Sequence, residues 1–199
     1  MDRRIIYLII FLLFCTPLHA GVIMMGGAGT SEAPSGDCGT SNDTVVWDFL
    51  GTGTSGAATN AFACNEWILA GNTTITEYKA RYRYTSGTGS VKICLLPDDG
   101  EADSMPDGTT CIVGTDSSLT QASMTAGSFL DYTHTLATPV EILVAANPVV
   151  WVCNIAVGTI VRDFHYYPSA LKEACYGNAA CSTNDDGYIN ASIDVYGCE

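Results

Sequence analysis

The sequence predicts an all-β fold of antiparallel strands held by disulfides, and three features of the 199-residue chain predict it. Short runs of β-branched and aromatic residues alternate with clusters of Gly, Asn, Asp, Ser and Thr. No segment keeps the helical apolar period of about 3.6 residues over several turns. The cysteine count becomes even once an export signal is removed. Hydrophobic residues make up 47% of the chain and charged residues 15%, which supplies a core and is too little charge for disorder. The length is that of one domain. With 8 Lys and Arg against 21 Asp and Glu the formal charge is −13, which repels a phosphate backbone and disfavours a nucleic-acid partner.

Asp2, Arg3 and Arg4 precede an apolar run over residues 5–14, and Leu18-His19-Ala20 offers a small residue to a signal peptidase. Residues 1–20 therefore read as a secretory signal peptide. The apolar run has about half the length of a membrane-spanning helix, so the mature form is expected without a transmembrane segment. Its expected place is secreted or extracellular, with periplasm or cell surface as variants. Cys15 follows Phe14, too bulky for lipobox cleavage. Residues 21–43, with Gly26-Gly27-Ala28-Gly29 and Pro34, form a flexible Gly-rich leader, and residues 44–199 the β-sandwich domain.

Removal of the signal leaves 179 residues with 6 basic side chains, 20 acidic ones and 8 cysteines. None of the cysteines has C-x-x-C spacing, so in an oxidising compartment they read as disulfides. Cys94–Cys111 would flank an acidic, turn-rich loop. Cys175–Cys181 would close a short loop holding Gly177 and Asn178. Pairing among Cys38, Cys64, Cys153 and Cys198 stays open, and Cys153 also fits a buried free thiol.

Strands are predicted at residues 45–50, 61–69, 74–84, 90–96, 109–113, 128–136, 141–145, 149–157, 159–166 and 188–196, with one helical turn at 169–174. In the third of these, alternation sends Tyr78, Ala80, Tyr82 and Tyr84 to one face and Glu77, Lys79, Arg81 and Arg83 to the other. Three of the six mature basic residues thus share one strip, read either as cross-strand pairs with acidic neighbours or as an anion-binding or assembly strip. In the last strand Ile189, Ala191, Ile193 and Val195 are predicted inward, with Asn190, Ser192 and Asp194 outward. Trp47, Trp67 and Trp151 sit in strand patterns and read as core.

The order of Thr74-Ile75-Thr76-Glu77-Tyr78, Gly89-Ser90-Val91-Lys92-Ile93-Cys94-Leu95 and Met105-Pro106-Asp107-Gly108-Thr109 carries a resemblance that continues through three later stretches. These are Thr138-Pro139-Val140-Glu141-Ile142, Val150-Trp151-Val152 and Ile193-Asp194-Val195-Tyr196-Gly197. Over residues 62–197 the chain resembles secreted jelly-roll β-sandwiches of the choice-of-anchor and carbohydrate-binding-like type. The resemblance implies a single antiparallel jelly roll and a noncatalytic module on extracellular proteins. The eight mature cysteines depart from that pattern.

Asp98, Asp99, Glu101, Asp103 and Asp107 gather enough carboxylates for a hard cation such as calcium, though not at EF-hand spacing; the competing reading is a solvated hairpin loop. Asn184-Asp185-Asp186-Gly187 reads as a plain turn. Gly51-Thr52-Gly53-Thr54-Ser55-Gly56 matches a dinucleotide fingerprint by letters alone, without a βαβ unit around it. No G-x-S-x-G elbow occurs. His134 shares its strand face with Leu130, Tyr132 and Leu136 and reads as a hydrogen-bonded histidine near the core. Glu66 beside Trp67 is the best-placed acid for a glycosidase, a third-rank reading.

For ligand binding the candidates are His165, Tyr166, Tyr167 and Tyr176, in a segment read as irregular and tied by Cys175 and Cys181. Planar rings match the C–H face of a sugar while neighbouring polar groups bond its hydroxyls. The competing reading is that these rings cover the end of the sandwich. Asn42, Asn72 and Asn190 open glycosylation sequons. The expected function is a secreted, disulfide-stapled module that binds a glycan or another cell-surface ligand, with no cofactor or with calcium. The second expectation is a structural subunit of an extracellular fibre or coat, self-assembling through its N-terminal segment.

Overall fold

Alternation along one long strand organises the domain. A computed structural model describes residues 44–47, 57–58, 61–98, 100, 105–167, 174–185 and 190–198. In chain order the strands are β1 (Thr44–Trp47), β2 (Ala57–Ala58), β3 (Phe62–Ile68), β4 (Thr73–Ser86), β5 (Gly89–Pro97), β6 (Ser117–Thr120) and β7 (Leu130–Ile142). They continue as β8 (Val149–Gly158), β9 (Val161–Tyr167), β10 (Ala174–Gly177), β11 (Thr183–Asp185), β12 (Asn190–Ala191) and β13 (Ile193–Cys198). The described helical structure is one 3₁₀ turn, Gln121–Ser123. Among the described residues no helix is long and apolar enough to cross a membrane.

The strands form two antiparallel sheets, and the fold is all-β and sandwich-like. In the larger, β4 pairs with β7 along one edge and with β13 and then β9 along the other. β1 extends β13, while β2 and β12 pair with β9. The smaller sheet runs β11-β10-β3-β8-β5-β6. Tyr78, Ala80, Tyr82 and Tyr84 of β4 face inward as alternation requires, and meet Val91, Ile93 and Leu95 of β5 and Val150 and Val152 of β8 in the core. Trp67 belongs to this core. The side chain of Trp47 lies outside the described residues.

A second apolar cluster covers the outer face of the smaller sheet, with Phe62, Leu96, Trp151 and Ile155 packed among Cys64, Cys94, Cys153 and Cys175. β8 is therefore buried on both faces over Val150–Ile155, which explains its nearly unbroken apolar sequence. Between the sheets, the buried amide of Asn65 on β3 donates to Ala191 O at 2.6 Å and accepts from Ala191 N at 2.9 Å. One side chain thus acts as a strand partner for β12.

The hairpin from β4 to β5 depends on glycine. Gly87 has φ +86°, and a Cβ there would lie 2.0 Å from the Thr159 carbonyl oxygen.

Several predicted elements need correction. Residues 109–113 are not a strand: Cys111 is bonded to Cys94 and Ile112 N donates to Leu95 O, so the segment folds back on β5 as a loop. The two strands predicted at 128–136 and 141–145 are one, β7, which carries Pro139. Its register against β4 shifts between Ile75 and Glu77, whose partners are Val140 and Thr135, so Pro139 sits in a bulge and removes no ladder hydrogen bond. Ser192 and Asp194 face outward as predicted but are only 1% and 5% exposed, with His165 of β9 beside the first and Lys79 of β4 beside the second. Residues 168–173, with most of the predicted helical turn, lie outside the described residues, and Ala174 opens β10.

Candidate functional site

The outer face of the larger sheet carries the charged strip of β4. Cross-strand partners share a face, and the register sets Arg81 opposite Asp131 of β7, Arg83 opposite Asp163 of β9, and Lys79 opposite Asp194 of β13. Arg81 donates Nε to Asp131 Oδ1 at 2.6 Å and Nη2 to Asp131 Oδ2 at 2.9 Å. Arg83 donates both Nε, at 3.0 Å, and Nη2 to Asp163 Oδ2. The Arg81–Asp131 bonds hold the Asp131 carboxyl below its usual range and raise the Arg81 guanidinium. At Arg81 and Arg83 the strip thus forms cross-strand ion pairs with acidic neighbours, as the first of its two sequence readings has it.

Two rings complete this surface. Phe129, just before β7, meets the His165 ring edge-on at 5.5 Å, and the Arg83 guanidinium lies 5.0 Å from the Phe129 centroid. His165 Nδ1 contacts Ser192 Oγ at 3.0 Å. Partial burial lowers the His165 pKa, as does Arg81, while Asp131 opposes the shift. Phe129 and His165 are half-buried, so parts of both rings reach solvent between two fixed ion pairs. Ser192 is covered, so its hydroxyl positions the imidazole and is not offered as a nucleophile.

The residues of the sequence-predicted aromatic group divide between the two sheets. His165 lies on β9 of the larger sheet, whereas Tyr176 lies on β10 of the smaller, paired with Ala63 and Thr183. Tyr166 and Tyr167 belong to β9, which stays regular to its end and pairs with Ala191 and Asn190; their side chains lie outside the described residues. Phe129 is the ring that sequence reasoning missed, since its neighbourhood follows from the pairing of β7, β4 and β9 over long separations.

Of the acidic loop, Asp99, Glu101 and Asp103 lie outside the described residues and Asp107 is exposed. Asp98 accepts from Trp151 Nε1 at 2.9 Å and from Gly100 N at 3.1 Å, which ties the loop to the second apolar cluster. Among the described residues the acidic side chains form no cluster of metal-ligating geometry; the grouping found is Cys64, Cys175 and Cys181.

Three disulfides are described. Cys94–Cys111 and Cys175–Cys181 join as the sequence predicts, and Cys64–Cys153 resolves part of what it left open. Cys198 is also disulfide-bonded, and Cys38 lies outside the described residues.

Away from the ring surface, Arg162 points inward from β9 and is 1% exposed. It donates to Asn154 Oδ1 at 2.7 Å, Asn154 O at 2.8 Å and Ala61 O at 3.2 Å. Burial brings its pKa down to about 10. Ala61, Ala156, Gly158, Ile160, Arg162 and Asn178 line a cavity of about 190 Å³ at this end of the sandwich, too small to enclose a drug-sized ligand.

The chain matches no protein-family model, no curated protein and no solved structure.

Proposed function

We propose that the chain is a secreted, noncatalytic module of jelly-roll type that binds a glycan or another extracellular surface ligand through the outer face of its larger sheet. The observation that carries this reading is the Phe129–His165 pair set between Arg81–Asp131 and Arg83–Asp163. Apolar ring surface suits a sugar's C–H face, and ion pairs held by a sheet offer fixed donors and acceptors for hydroxyls. The described histidines support a binding role over catalysis. His134 is wholly buried, and the hydroxyl beside His165 is covered.

A glycan array probed with the mature protein, in calcium and in chelator, tests the reading. Binding that falls at least tenfold in Phe129→Ala supports it. Silence across the array, or equal binding by Phe129→Ala, overturns it. Export is tested separately, by expression with residues 1–20 in a secreting host and mass measurement of the released chain; an N-terminus at Gly21 is the expected result.

A further inference from the structure

Four cysteines lie in one row across the smaller sheet. Cys175 on β10 is directly opposite Cys64 on β3, Cys64 is opposite Cys153 on β8, and Cys153 is opposite Cys94 on β5. Directly opposed residues share a face with Cβ atoms about 4.5–5.5 Å apart, and all four are fully buried in the second apolar cluster. The present bonds use only the middle contact of the row, Cys64–Cys153. The outer two members are bonded out of the row, Cys175 to Cys181 and Cys94 to Cys111, and both outside partners are half-buried rather than covered. At one end the sulfurs of Cys64, Cys175 and Cys181 all lie within 4.8 Å of one another.

We infer that the row is a thiol–disulfide exchange site, in which attack on Cys181 by a small thiol is passed to the buried Cys64–Cys153 bond. The thiolate of the incoming molecule bonds to Cys181 Sγ, the Cys175–Cys181 bond breaks, and Cys175 leaves as thiolate. Cys175 then bonds to Cys64 Sγ and displaces Cys153 as thiolate. Cys153 faces Cys94, and a third exchange would form Cys94–Cys153 and release Cys111 at the far, half-buried end. Each step makes one S–S bond and breaks one, so no oxidant or reductant is consumed beyond the entering thiol. Both new bonds within the protein, Cys64–Cys175 and Cys94–Cys153, join directly opposed residues of adjacent strands, so the sheet register need not change.

Reduced glutathione serves as the probe. The native protein is incubated with one equivalent, quenched with N-ethylmaleimide and mapped by peptide mass spectrometry without reduction. The expected map shows glutathione on Cys181, a Cys64–Cys175 cross-link, and maleimide on Cys153 or Cys111. Maleimide confined to Cys175, with Cys64–Cys153 intact, overturns the inference, as does the absence of any adduct at Cys181. Cys181→Ser isolates the inner step by leaving Cys175 as a thiol beside Cys64. Label on Cys153 or Cys111 in that variant supports the exchange, and label on Cys175 alone overturns it.

Discussion

Arg81 and Asp131 stand directly opposite each other on β4 and β7 and share two parallel hydrogen bonds, at 2.6 and 2.9 Å. Both also act on His165, whose pKa Arg81 lowers and Asp131 raises. The pair is about a third exposed, so its direct contribution to stability is small. Asp131→Asn should cost about 1 kcal/mol or less in urea denaturation. Its larger signature is on the imidazole: with Arg81 unopposed, His165 should titrate lower than in the wild type, whereas Arg81→Met should raise it. An NMR titration of the His165 ring in the two variants checks the opposite signs, and shifts of the same sign would contradict the arrangement.

His134 gives the molecule an acid-side dependence of defined sign. Buried between β4 and β6, its Nδ1 faces Ser117 O at 3.3 Å and its Nε2 faces Tyr82 OH at 3.1 Å. The carbonyl can only accept, so Nδ1 carries the proton and Nε2 accepts from the tyrosine. Burial brings its pKa down from 6.5 to about 4. Because the folded pKa is depressed, the unfolded chain binds the extra proton first, and stability falls as pH drops from 6.5 towards 4. The full loss is about 3 kcal/mol, reached near the folded pKa. The lowered pKa of His165 adds a loss of the same sign just below neutrality, and that of Asp131 adds one only in stronger acid. Denaturation midpoints between pH 7 and 4 should fall in the wild type and flatten in His134→Gln. A flat wild-type profile would contradict a neutral buried imidazole.

What the sequence reveals about this chain divides by range. The face of Tyr78, Ala80, Tyr82 and Tyr84 is legible because period-two burial is written locally in β4. The bonds of Cys94 to Cys111 and of Cys175 to Cys181 are legible because short loops with turn residues bring them together. Register between distant strands leaves no local mark. The outward direction of Ser192 and Asp194 is therefore legible but their burial is not, because it comes from His165 of β9 and Lys79 of β4 standing beside them. The stretches 128–136 and 141–145 read as two strands because nothing nearby in sequence announces the bulge that carries β7 through Pro139. The cysteine row and the Phe129–His165 contact were hidden for the same reason, since each is made by strands far apart in the chain.

Asn65 tests how the sheets are joined. Its amide satisfies both the N–H and the C=O of Ala191, all buried. Leucine, of similar size, would leave that donor and acceptor without their partner, at about 1–3 kcal/mol for each unsatisfied group. Asn65→Leu should therefore destabilise by about 2–5 kcal/mol despite its greater hydrophobicity. Faster amide exchange should concentrate at Ala191 and the adjoining part of β9. A variant as stable as the wild type would show that another group takes over both bonds.

The disulfides should rank by the chain they close. Cys64–Cys153 spans 89 positions and Cys175–Cys181 spans 6. In the chain-entropy treatment the first contributes about 4–5 kcal/mol and the second about 2 kcal/mol, through restriction of the unfolded chain. Packing acts in the same direction, since Cys64 and Cys153 are both fully buried whereas Cys181 is half-buried. The double variant Cys64→Ala/Cys153→Ala should accordingly lose about twice the stability of Cys175→Ala/Cys181→Ala, read from urea midpoints at matched slope. Equal losses would mean that contacts within the second apolar cluster, and not loop closure, set the contribution of each bond. Removing both members of a pair also keeps the comparison clean, because no thiol is left behind in the row to exchange with its neighbours.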